Sequence, residues 1–151
     1  RQPYASTEEP GKNYILPFGK ANYISKGDHI TLMCWGAMVQ KSLDAIQNLN
    51  LSEDIVEIID LRTLNPIDYD MIKESITKTG KVLVVYEDNI TNGPGAEICS
   101  IIADKYFEYL DGPVRRVASK DSPVPYNWFL EESVLVQTED IASAINELLE
   151  Y

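Results

Sequence analysis

Between Asp54 and Glu87 the apolar positions change period twice. Ile55–Leu61 is a β-branched apolar run ending in the polar turn DLRTLNP, after which Met71, Ile72, Ser75 and Ile76 recur at helical spacing. Asp68 stands where a helix N-cap is needed, because its carboxylate can accept free N–H groups of the first turn. Gly80 suits the other end, where φ is often positive. Val82–Val85 is a continuous run, as in a strand covered on both faces. Strand, helix and strand within about thirty residues make a βαβ crossover with parallel strands, so the class is α/β.

The same periods extend outward. Lys20–Ser25 is expected as a short edge strand, Ile30–Trp35 as a buried strand, and Met38–Leu49 as a helix with Val39, Leu43 and Ile46 on one face. A long helix is expected from about Ala96 to Leu110, with Cys99, Ile102, Ala103, Tyr106, Phe107 and Leu110 as its stripe. Pro113–Ala118 reads as the last strand, and Tyr126–Val136 fits neither period. Thr138 is expected to cap a terminal helix that turns Ile141, Ala144, Ile145, Leu148 and Leu149 inward. Five strands and four helices, mostly alternating, predict a three-layer α/β/α sandwich with a largely parallel sheet. Residues 1–12, RQPYASTEEPGK, are polar and punctuated by Pro and Gly, so they are expected to be a linker leading into a domain over 13–151. A chain that opens in a linker is expected to be a piece of a longer one.

Composition narrows the function. A 44% hydrophobic chain of 151 residues can bury a core, whereas its net charge of −11 repels phosphates. Nucleic acids and anionic membranes are therefore poor partners. The acid is unevenly placed: no Lys or Arg follows Lys120, yet seven acids do, which would attract a basic partner. By charge alone, Glu108 and, among those seven, Glu132 are expected to form part of such a patch. Cys34 and Cys99 lie in apolar patterns and read as small buried hydrophobes, not as a disulfide. With one histidine, His29, and no CxxC, a zinc site lacks ligands. No apolar run approaches the roughly 18 residues of a membrane span, and the amino end has no signal-peptide pattern. The expected setting is bacterial cytoplasm or an organelle matrix, not secretion.

In open parallel sheets, ligands sit beyond the carboxyl ends of the strands. Gly36-Ala37-Met38 occupies such a position but lacks the glycines and hydroxyls that cradle phosphate. Asp60 and Arg62 would share a face if the strand continues, and are expected to form a structural ion pair. A phosphoacceptor role for Asp60 would need an acidic pair after the first strand to hold Mg²⁺, and CWGAM has none. Gly93 and Gly95 flank Pro94, which suits a first helical turn; Glu97 disfavours an anion there, so a tight turn is expected. Lys120-Asp121-Ser122 reads only as a turn. No nucleophile is placed with a base.

The strings LPFGKA, ITLMCWG, IIDLRTLNP, SITKTGKVLVV, GAEI, GPVRRV and DSPVP, in this order, resemble the C-terminal domain of the beta subunit of thiamin-diphosphate-dependent 2-oxo acid dehydrogenases. The wider kin are transketolase and deoxyxylulose-phosphate synthase. The resemblance implies a five-stranded mixed sheet whose first strand, Lys20–Ser25, is antiparallel. It implies that thiamin diphosphate, its Mg²⁺ and the catalytic groups belong to other domains of the parent, so this domain binds no cofactor and is not catalytic alone. It implies partners too: other domains or subunits of the same enzyme, a homologous C-terminal domain in a dimer, and the basic subunit-binding domain of the acyltransferase core. Asp111 in YLDGP matches the family's aspartate for that last contact, and the carboxyl end at Tyr151 is the other expected contact. Pyruvate and branched-chain enzymes look alike here. Two alternatives stay open: a transketolase or deoxyxylulose-phosphate synthase parent, and a stand-alone α/β ligand-binding module.

Overall fold

The computed structural model describes residue 11, residues 13–52 and residues 54–151. The expected linker over residues 1–12 falls outside these apart from Gly11. The strands are β1 (Asn22–Ser25), β2 (Ile30–Cys34), β3 (Val56–Asp60), β4 (Val82–Asn89) and β5 (Val114–Ser119). The helices are α1 (Met38–Leu49), α2 (Tyr69–Thr79), α3 (Pro94–Lys105), α4 (Trp128–Val134) and α5 (Thr138–Leu149). The sheet order is β1-β3-β2-β4-β5, with β1 antiparallel to β3 and the other pairs parallel.

Alternation along the strands sorts the core into two halves. Ile30, Leu32, Cys34, Val56, Ile58, Leu83 and Val85 face α1 and α5, where Met38, Ala45, Ile141, Ile145 and Leu148 close over them. Met33, Ile59, Val82, Val84 and Tyr86 face the opposite layer, covered by Ile72 and Ile76 of α2 and by Ile98 and Ile102 of α3. This is the expected sandwich, with the antiparallel first strand the resemblance implied. Asp68 caps α2 by accepting from the Met71 N–H at 3.3 Å, and its second oxygen accepts the Ala21 N–H at 3.1 Å. One carboxylate thus ties the edge strand to the crossover helix. Gly80 ends α2 at φ 67°.

Several boundaries differ from expectation, each for a local reason. Strand β4 continues through Glu87–Asn89, because Ser119 Oγ donates to Glu87 O and the Ile90 N–H donates to Ser119 O. Helix α3 stops at Lys105: Tyr106 leaves the helix at φ −123°, burying its ring, and Phe107–Tyr109 follow as a 3-10 turn. Ala103 and Phe107 of the expected stripe are therefore exposed. Gln137, not Thr138, precedes the last helix, and its N–H donates to Asp140 at 2.9 Å. The ambiguous stretch contains a fifth helix, α4, with Asn127 as its cap.

One buried polar cluster has no counterpart in the hydrophobic pattern. Glu57, 1% exposed in β3, accepts from Ser75 Oγ at 2.5 Å and from Lys78 Nζ at 2.5 Å. Thr31 of β2 joins it through Ser75 and Thr79 at 2.6 and 2.7 Å. Every member is hydrogen-bonded, as a buried polar network must be to avoid a large cost.

Candidate functional site

The sheet's two ends carry different chemistry. At the carboxyl end, Gly36 (φ 61°) turns the chain from β2 into α1, and Trp35 stacks on Tyr86 with ring centroids 5.7 Å apart. Gly93 and Gly95 lie against the same Tyr86 ring, and a Cβ on Gly95 would come within 2.2 Å of it. These glycines serve a close approach of backbone to an aromatic ring. Asp60 and Arg62 do not form the expected ion pair. Arg62 has φ 56°, so strand alternation ends before it, and Asp60 instead accepts the Arg62 backbone N–H at 3.0 Å.

Beyond β4 and β5, the 87–95 segment is held from two sides. Asp121 accepts both the N–H and the hydroxyl of Thr91, at 3.0 and 2.7 Å; these bonds hold its carboxyl below the usual range. Arg116 donates to Ile90 O at 2.6 Å. A pocket of about 410 Å³ opens beside α4, lined by Ala37, Lys41, Glu87, Trp128, Glu131, Glu132, Leu135 and Gln137. Lys41 donates to Val136 O, leaving carboxylates as the dominant charges of the lining. This donor set does not fit a diphosphate: its acids repel an anion, and Glu97 adds negative charge at the α3 start.

The amino end brings the two expected partner residues together. The Asp111 N–H donates to Gly80 O at 2.7 Å, and a Cβ on Gly112 would stand 3.5 Å from Tyr151 Cβ. Both residues are exposed. The α4 ridge and the Glu57–Lys78 pair escaped sequence reading. A Glu in an apolar strand three residues from the polar Asp60 and a Lys two residues before Gly80 gave no sign of partnership across the crossover.

The thiols are unsuited to nucleophilic work. Burial pushes Cys34 up to about 12 and Cys99 up to about 11, the latter slightly opposed by the Arg116 charge. We expect negligible alkylation of either by iodoacetamide at neutral pH in the native chain, and full labelling after guanidinium unfolding. Rapid native labelling of one thiol would contradict this.

The fold defines a doubly wound α/β domain with helices on both faces of a mostly parallel sheet. The chain belongs to the transketolase C-terminal domain family, whose model matches residues 19–141. It is 39% identical over 142 residues to the pyruvate dehydrogenase E1 component subunit beta of Cyanidium caldarium, covering 94% of this chain and 43% of that protein. It is 36% identical over 145 residues to the 2-oxoisovalerate dehydrogenase subunit beta of Bacillus subtilis, covering 95% and 44%. A similar relative in Dictyostelium discoideum is named as mitochondrial. The chain therefore spans about two-fifths of the length of these relatives. Its fold matches that of a split-gene transketolase, solved as an inactive beta4 tetramer, with TM-score 0.77, 23% identity and coverage of 95% of this chain and 46% of that one. Among the described residues no helix is long and apolar enough to cross a membrane.

Proposed function

We propose that residues 13–151 are the C-terminal assembly and docking domain of the beta part of a 2-oxo acid dehydrogenase. The observation carrying this reading is the identity to pyruvate and 2-oxoisovalerate dehydrogenase beta subunits along nearly the whole chain. The parent would use thiamin diphosphate and Mg²⁺ held by other domains, in bacterial cytoplasm or an organelle matrix. This domain's part is contact: with those domains, with a second C-terminal domain, and with the basic subunit-binding module of the acyltransferase core through Asp111 and Tyr151. The adjacency of those two exposed residues supports a shared footprint.

Titration calorimetry of the 151-residue chain tests this. A basic subunit-binding domain should bind with heat that weakens as salt rises, and Asp111→Asn should lower affinity by about tenfold. Thiamin diphosphate with Mg²⁺ should give no binding isotherm. Saturable cofactor binding, or module binding unchanged by the Asp111 variant, would overturn the assignment of roles.

A further inference from the structure

We propose that the α4 ridge and the acidic pocket beside it dock a segment of a second, different polypeptide, in which apolar side chains flank an arginine. Val124, Tyr126, Trp128, Phe129 and Leu130 are all more than half exposed, within seven consecutive positions. Scattered exposed apolar residues are ordinary, but a contiguous run of this size marks an interaction surface. The ridge is nevertheless held in place. Val134 is buried, Asn127 caps the helix at the Phe129 N–H, and the Lys120 N–H donates to Val134 O at 3.0 Å. Trp128 and Phe129 pack ring against ring, with centroids 4.2 Å apart and planes tilted by 36°, as one aromatic contact surface.

Charge selects the occupant. The adjoining pocket sets Glu87, Glu131 and Glu132 beside the Trp128 ring, and its Lys41 is turned to a backbone carbonyl. A guanidinium is suited to this lining, because it can stack on indole and donate paired hydrogen bonds to carboxylates. The apolar neighbours of that arginine would then lie along Phe129 and Leu130. A second copy of this chain is disfavoured, since it would bring a net charge of −11 and the same acids to the contact. The surface lies at the carboxyl end of the parallel strands, whereas Asp111 and Tyr151 lie at the amino end, so both could be engaged at once.

The probe is a short synthetic peptide with arginines set between leucines, titrated into ¹⁵N-labelled chain and followed by NMR. Shifts should concentrate on residues 124–135 and Glu87. Phe129→Ser with Leu130→Ser, and separately Glu131→Gln with Glu132→Gln, should each weaken binding by about tenfold. All four positions have side chains outside the core, so unchanged shifts elsewhere certify the fold. Equal binding of a peptide with serine for leucine, or with glutamate for arginine, would overturn the proposal. So would shifts centred on Asp111 and Tyr151, or self-association removed by Phe129→Ser.

Discussion

Lys78→Met should lower the stability of this chain by about 2–3 kcal/mol, and the loss should depend on pH. The ammonium lies 2.5 Å from Glu57 Oε2 and 3.4 Å from Asp28 Oδ1. Burial draws the Lys78 pKa down, but the hydrogen bonds and charges of Glu57 and Asp28 outweigh this and leave it raised. Its own contribution is therefore complete at neutral pH and is lost only as pH climbs through that raised value. Removing one partner of a buried pair typically costs about 3–5 kcal/mol. The Lys78 side chain is 40% exposed, so water can approach the vacated side and the figure is reduced.

In the variant, Glu57 keeps Ser75 as a donor but loses its cation, so a buried carboxylate is left without a countercharge. Lys78, raised in the folded state, contributes its stability at and below neutral pH and loses it as pH rises through its folded value. The deficit of the variant should thus be complete at neutral pH and shrink only as pH climbs through the raised Lys78 value. Urea melts across this range measure it, and Glu57→Gln in the Lys78→Met background should recover part of the loss. A deficit undiminished at strongly alkaline pH would contradict the mechanism.

The contrast between what was legible and what was not is physical. The βαβ crossover was readable because Asp68, Gly80 and the Val82–Val85 run act locally, each setting its own backbone through a cap, a positive φ or burial. The antiparallel edge strand came from resemblance, since periodicity cannot orient a four-residue strand. Glu57 and Lys78 stand 21 positions apart and meet only because α2 packs across β3, so no window of sequence contains their relation. Arg62 failed as an ion-pair partner because a single left-handed residue reverses the face on which a side chain emerges. In the α4 region, alternating prolines and aromatics obscured the period. Its apolar residues point outward, against the usual link between hydrophobicity and burial. The feature hardest to place by pattern is thus the one best explained as a surface for another chain.

Gly27→Ala, a single methyl added in the turn before β2, is expected to cost about 3 kcal/mol. A Cβ there would stand 2.4 Å from the Val56 carbonyl carbon, 2.6 Å from Glu57 N and 2.7 Å from Val56 N. All three atoms are backbone at the start of β3, so no rotamer change can relieve the clash. The adjoining Asp28, His29 and Ile30 N–H groups donate to Asp54 O and Ile55 O, fixing the turn against the strand from the other side. Relief therefore requires β3 to separate from the turn that feeds β2. Gly36 supplies the contrast: its φ of 61° disfavours alanine, but the nearest atom to a Cβ is Glu87 Oε2 at 3.9 Å. Gly36→Ala should cost about 1 kcal/mol. Because Gly27 packs on the Glu57 backbone and adjoins Asp28, its substitution should also loosen the grip on Lys78. The double variant Gly27→Ala, Lys78→Met should then lose less than the sum of the single losses, as residues sharing one network do. Strict additivity in urea melts would mean that the turn and the ion pair are held independently, and that the close approach at Gly27 serves the sheet alone.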